Sequence, residues 1–213
     1  MSFLPDASVF LAYTVACLVL FITPGPDMSL ALSRTLAGGR REGMAAMLGA
    51  MAGCLLHTLL AALGLSALIA ASATAFTALK IVGALYLLWL AYDALRHGSA
   101  LRLKTGGAAS NPFWRTFLVG IGINLTNPKV VLFFVTFLPQ FVEPTDPNAP
   151  GKLLVLGVYF VLVTAPFGIL MVLGADRMLA VLTGRPRIMR MIDILFASVF
   201  ALFALRIAVT QSR

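Results

Sequence analysis

Phe21-Ile22-Thr23-Pro24-Gly25-Pro26-Asp27 is the stretch that decides how this chain folds. Two prolines flank a glycine inside an apolar run; each proline lacks a backbone donor and clashes with the preceding turn, so a helix entering here cannot run through. In a low-dielectric setting the freed carbonyls need partners. A second interruption follows in Asn124-Leu125-Thr126-Asn127-Pro128-Lys129. Overlaying the halves at an offset of 102 puts Pro26 on Pro128 and Asp27 on Lys129. Pro128 biases Asn127 away from helical geometry, and the neighbouring amides and hydroxyl offer the interrupted backbone alternative hydrogen bonds. Two discontinuous helices are therefore expected at corresponding positions of an internal repeat.

Working outward, 60% of the 213 residues are hydrophobic and 11% are charged. A water-soluble domain of this size could not hide that much apolar surface. Apolar runs of roughly the 20 residues that cross a hydrocarbon core recur along the chain, separated by short polar loops. The predicted spans are 7–35 with an internal break, 43–71, 76–96, 113–138, 152–174 and 191–210. The predicted fold is an all-α integral membrane protein of one domain, residues 1–213. Six transmembrane helices form two inverted three-helix repeats, about 1–97 and 113–213, with helices 1 and 4 discontinuous and a cytoplasmic linker at about 98–112. Three spans per half reverse the direction of the second half, the arrangement of inverted-topology transporters whose substrate sites lie at such breaks.

Charge sets the orientation. Arg34, Arg40 and Arg41 lie at the first loop, Arg96, Arg102, Lys104 and Arg115 around the third, and Arg177, Arg185, Arg187 and Arg190 around the fifth. The positive-inside rule puts these loops in the cytoplasm and both termini outside it. The N-terminus has no cationic segment of the kind that precedes a cleaved signal peptide, so the first span is expected to be retained. Trp89, Tyr92 and Trp114 fall near the cytoplasmic interface, where amphipathic aromatics gather. The net charge of +8 is spread over short loops, which excludes a nucleic-acid-binding surface. Cys17 and Cys54 sit in apolar stretches and define no disulfide framework. Neither Gly-x-Ser-x-Gly nor His-Glu-x-x-His occurs, so covalent catalysis is not expected.

Three motifs in order carry a resemblance over essentially the full length: Thr23-Pro24-Gly25-Pro26 with Asp27, Lys80-Ile81-Val82-Gly83-Ala84-Leu85-Tyr86-Leu87-Leu88-Trp89-Leu90, and Asn124-Leu125-Thr126-Asn127-Pro128-Lys129. With Phe137-Leu138-Pro139-Gln140-Phe141 downstream, the chain resembles the LysE/RhtB superfamily of bacterial amino-acid exporters, its threonine and homoserine branch above all. The resemblance implies a multi-pass exporter in the bacterial cytoplasmic membrane. It moves amino acids or close derivatives, is driven by the proton gradient and requires no cofactor. Cation exporters among superfamily relatives supply the alternative of divalent-metal efflux.

Asp27 lies about 10 Å and Lys129 about 14 Å from opposite membrane faces at 1.5 Å per helical residue, and ionisable residues inside a membrane point to function. Three readings of the pair stay open: Asp27 facing a substrate ammonium and Lys129 or helix N-terminal amides its carboxylate; a direct ion pair; or an ion pair displaced by substrate or proton. Thr23, Asn124 and Asn127 complete the predicted pathway, around the breaks at Pro24, Gly25, Pro26 and Pro128. His57 reads either as a proton relay or as an interhelical hydrogen bond. Cys54 and His57 share a helical face and could offer two ligands to a soft metal, but no second Cys/His pair accompanies them. Gly49 and Gly53 form a small-xxx-small face for another helix, of this protomer or of a second copy. Pro166 is expected to kink the fifth span.

Overall fold

The computed structural model describes residues 7–65, 72–97, 111–142 and 146–210. Most of the predicted linker, with Arg102 and Lys104, lies outside these residues. Among the described residues all regular structure is helical: α1 (Ala7–Ile22), α2 (Pro26–Leu60), α3 (Ala73–His97), α4 (Phe113–Thr126), α5 (Pro128–Leu132), α6 (Ala149–Leu173), α7 (Ala175–Gly184) and α8 (Pro186–Thr210). A π-turn, Ala61–Leu65, prolongs α2, and α5 runs on through a π-turn, Phe133–Phe137, and a 3-10 turn, Leu138–Phe141. By length and hydropathy, Pro26–Gly64 and Ala149–Leu173 could cross a membrane, as could the pair Phe113–Thr126 and Pro128–Phe141, bent by 56°, if it counts as one span. Large side chains stand bare on the outside, Leu63 at 71% and Leu11 at 68% exposure, as expected where lipid is the solvent.

α2 is one hydrogen-bonded element on paper and two legs in space. Gly39, at φ 80° and ψ 177°, takes a conformation that L side chains rarely adopt. A Cβ built on Gly43 would lie 3.2 Å from the Ala31 carbonyl oxygen, whereas twelve residues of straight helix would separate the two by about 18 Å. The chain therefore doubles back at Gly39, close to the predicted first loop. Arg34 Nη1 stands 3.7 Å from Glu42 Oε2 across the turn. Glu42, in the first turn of the second leg, is buried and accepts a 2.8 Å hydrogen bond from Asn111 N, tying the hairpin to the start of α4.

The second leg of α2 is the axis of the bundle. A Cβ on Gly49 would meet Phe117 O at 2.1 Å, and one on Gly53 would meet Asn124 Oδ1 at 2.6 Å. Partners thus advance together along the two helices, which run parallel, and the small-residue face packs within the protomer. Against α6 the register reverses: Gly157 meets Thr58 and Gly168 meets Met47, so these helices are antiparallel. α3 packs along α8, and Arg190 Nη1 donates to Leu95 O. Basic residues stand at the hairpin turn (Arg34, Arg40, Arg41), at the start of α4 (Arg115) and where α3 meets α8 (Arg96, Arg190).

Aromatic packing fills one core, where Phe133 stacks on Phe137 at 5.0 Å and contacts Phe160 at 5.1 Å. Tyr13 lies in the same cluster and donates to Leu156 O at 3.0 Å, which satisfies a hydroxyl that would otherwise be orphaned. A second core gathers Met28, Leu32, Met47, Met171 and Val172. The stretch between the fifth and sixth predicted spans, expected as a loop, is the short amphipathic helix α7, and α8 begins at Pro186, five residues before its predicted start. α6 continues through Pro166. Outside the bundle, Asp146 pairs with Lys152 and accepts from Asn148 N at 2.8 Å; these donors hold its carboxyl below the ordinary carboxylate range.

Candidate functional site

Both predicted breaks form, and both restart in the same way. α1 ends at Ile22 and α2 begins with Pro26 at its first turn; α4 ends at Thr126 and α5 begins with Pro128 at its first turn. Proline is pre-organised for that position, where its missing N–H would have no intrahelical partner anyway. Asn127 caps its half-helix, accepting from Lys129 N at 3.1 Å through Oδ1, a bond worth about 1 kcal/mol. Gly25 supplies no such cap. Its backbone is extended, open to any residue, and what calls for glycine is proximity: a Cβ there would lie 3.2 Å from Lys129 Nζ.

The charges are bonded crosswise. Lys129, from the second break, donates through Nζ to Thr23 O at 2.6 Å and Leu20 O at 2.9 Å, the carbonyls that the first break leaves open at the end of α1. A cation at a helix C-terminus is favoured by the helix dipole. At its own position, the first turn of α5, the same charge is opposed by that dipole, so reaching across resolves the conflict. Asp27, from the first break, accepts through Oδ2 from Asn127 Nδ2 at 2.9 Å and Asn124 Nδ2 at 3.1 Å, both at the second break. Hydrogen bonds to a charged group are worth about 1.5–3 kcal/mol each. Asp27 and Lys129 make no direct ion pair; each is held by the other half's polar groups.

All six predicted pathway residues converge here. Asn124, Asn127 and His57 are buried, and Thr23 contributes its carbonyl to Lys129 while its hydroxyl returns to Val19 O at 2.7 Å. His57 Nε2 lies 3.4 Å from Asn124 O, and its ring stacks on Phe134 at 5.6 Å. Cys54 joins through Asn124: its Sγ lies 3.5 Å from Asn124 Nδ2 and 3.7 Å from Oδ1. Cys54 and His57 thus share a face but spend their polar atoms on one asparagine. Among the described residues no group of three or more His, Cys, Asp and Glu is placed to hold a metal.

A cavity of about 70 Å³ opens beside this network, bounded by Asp27, Asn124 and Lys129 on one side and by Met47, Met51 and Phe160 on another. By the same measure a single water needs about 10–15 Å³, so the space admits a small solute. Asp27 contributes to the lining, and its Oδ1 is buried without a hydrogen-bond partner. Leaving a charged acceptor unpaired away from water costs upward of about 1–3 kcal/mol. Sequence reasoning found the polar cluster from its prolines and charges but missed the apolar wall. Methionines in apolar runs read as core, and only Gly53 and Gly168, small residues opposite Asn124 and Met47, signalled close approach.

Residues 18–211 match the family described as LysE type translocator. The chain is 35% identical over 201 residues to an uncharacterized membrane protein of Vibrio cholerae, covering 92% of this chain and 94% of that one. It is 32% identical over 191 residues to the homoserine/homoserine lactone efflux protein of Salmonella typhimurium (90% and 91% covered). To the leucine efflux protein of Klebsiella pneumoniae it is 27% identical over 204 residues (95% and 96% covered). No solved structure matches the chain.

Proposed function

The chain belongs to the LysE family of translocators, and from that premise we propose that it exports amino acids or close derivatives across the bacterial cytoplasmic membrane by alternating access around its two broken helices. The observation that carries this reading is a cavity lined by Asp27, Asn124 and Lys129 from the two breaks, with Asp27 Oδ1 buried and left unpaired. A substrate ammonium supplies the missing donor. Lys129, which spends two of its three N–H groups on Leu20 and Thr23, offers the third to the substrate carboxylate. Relatives named for homoserine and leucine efflux support the substrate class.

The full architecture in this reading is six spans in two inverted repeats, with the basic end cytoplasmic and both termini extracytoplasmic. The parallel course of the second α2 leg and α4, and the antiparallel course of that leg and α6, fit three spans per half. Proton coupling follows if a proton and the substrate ammonium compete for Asp27, because a ligand shifts the inward–outward balance only through differential affinity for the two states. Soft-metal export has no comparable support, since Cys54 and His57 are engaged by Asn124.

Counterflow in proteoliposomes tests the function: vesicles preloaded with unlabelled leucine or homoserine should accumulate the labelled amino acid transiently, and vesicles without protein should not. Absence of counterflow across neutral amino acids, with metal flux present, overturns the reading. For orientation, Ser99→Cys should react with an impermeant maleimide only from the cytoplasmic side. Background is low because Cys17 and Cys54 are buried, and labelling from outside would invert the topology.

A further inference from the structure

The cavity beside Asp27 has a second character that the ion-binding network does not explain. Four of the nine methionines in the chain, Met28, Met47, Met51 and Met171, line it, together with Phe160. They arrive from both legs of α2 and from α6, so the clustering is built by the fold and is not a run of one helix. Three of the four are buried away from lipid. Unbranched thioether chains adapt to apolar groups of varied shape and make favourable contacts with aromatic rings.

Apart from Lys129, the hydrogen-bond donors on these walls are already spent. Thr164 lines the cavity, but its hydroxyl donates to Phe160 O at 2.8 Å. Cys54 Sγ and the side-chain amide of Asn124 are engaged with each other and with Asp27. What remains for a ligand is Asp27 Oδ1 and one N–H of Lys129, both needed for an α-ammonium and an α-carboxylate, and the lone pairs of Thr164 Oγ1. A hydroxyl further along the substrate would give up its waters for at most the Thr164 oxygen and would find no donor, whereas a methyl or thioether in its place would be buried against Met and Phe.

We propose that the methionine-lined wall is the side-chain subsite of the transporter and that it selects aliphatic and thioether amino acids, of the leucine and methionine class, over hydroxylated ones of the homoserine and threonine class. The selection rests on the amino-acid export reading above. Met47 sets the depth of the subsite: a Cβ on Gly168 would lie 2.7 Å from Met47 Sδ, so the absence of a side chain at 168 lets Met47 withdraw from the cavity.

Near-isosteric pairs isolate the effect, because norvaline and homoserine, like valine and threonine, differ only by a methyl in place of a hydroxyl. Competition of each with labelled leucine counterflow should give half-inhibitory concentrations lower for the methyl member by on the order of 10–100-fold, the discrimination available to an apolar pocket. Met51→Gln, at a half-buried position where an amide of similar length is tolerated, should cut that ratio several-fold. Gly168→Ala, by pushing Met47 inward, should weaken leucine more than valine. Counterflow in which the hydroxylated member competes equally or better overturns the selectivity and leaves amino-acid export standing. Failure of every amino acid in the panel to exchange overturns both.

Discussion

Asp27→Asn is the sharpest perturbation of the site, because the two oxygens of Asp27 have different fates. Oδ2 accepts from Asn127 Nδ2 at 2.9 Å and Asn124 Nδ2 at 3.1 Å, and Oδ1 is unpaired. An asparagine can turn its single oxygen to the two amides and so preserve the contact between the breaks. Its Nδ2 then occupies the Oδ1 position, a donor where the substrate ammonium needs an acceptor. The loss is a charge-assisted hydrogen bond, about 1.5–3 kcal/mol, plus the cost of two opposed donors, about 1–3 kcal/mol. At about 1.4 kcal/mol per factor of ten, the half-saturating concentration for counterflow should rise on the order of 10²–10⁴-fold. Lys129 keeps both of its carbonyl partners, so the thermal midpoint in detergent should fall by only about 2–4 °C, the shift that about 1 kcal/mol produces in a chain of this size. Asp27→Leu, which strands both asparagine amides, should lose transport and several further degrees. An Asp27→Asn protein that exchanges substrate within tenfold of wild type would refute the assignment of Oδ1 to the ammonium.

Asn127 serves both breaks at once, and two substitutions separate its duties. Asn127→Ala should cost about 2–4 kcal/mol of stability from a lost helix cap and a lost bond to Asp27, whereas Asn127→Asp keeps the cap and sets a like charge against Asp27; equal thermal midpoints for the two variants would contradict this division. Gly49→Ala should destabilise by about 1–3 kcal/mol, because the added methyl meets the Phe117 carbonyl at 2.1 Å and backbone cannot swing aside as a side chain can; a thermal midpoint unchanged from wild type would show that α2 and α4 are packed less closely than described.

Much of the architecture was legible because it follows from local chemistry. Two prolines around a glycine, and a proline after an asparagine able to cap a new turn, interrupt a helix locally, so the restarts at Pro26 and Pro128 could be read directly, whereas the lone Pro166 is carried inside α6; the apolar runs fixed most helix positions to within a few residues. The overlay of the two halves grouped Asp27, Asn124 and Asn127 around paired breaks, but that both asparagine amides donate to Asp27 emerges only from the structure. The partner of Lys129 was not legible: charge complementarity points to Asp27, and only the three-dimensional crossing of the breaks reveals two open carbonyls within its reach. α7 was missed because the basic residues that mark a loop in a membrane protein also suit an amphipathic helix at the interface. The methionine wall was missed because periodicity identifies an apolar face without telling whether that face meets a neighbour or a void.

Residues 27 and 129 fall on one another when the two halves of the sequence are overlaid, yet they are opposite in sign. A duplicated scaffold would, left symmetric, greet the two ends of a guest identically and suit diamines or diacids. Here the two overlaid positions carry opposite charges where the breaks cross, so the recess beside them has a head and a tail. Under the proposed function, a dipolar molecule would fit it in one sense only and present its side chain to the same wall at every crossing, so that a single patch of methionine would serve as the selectivity element.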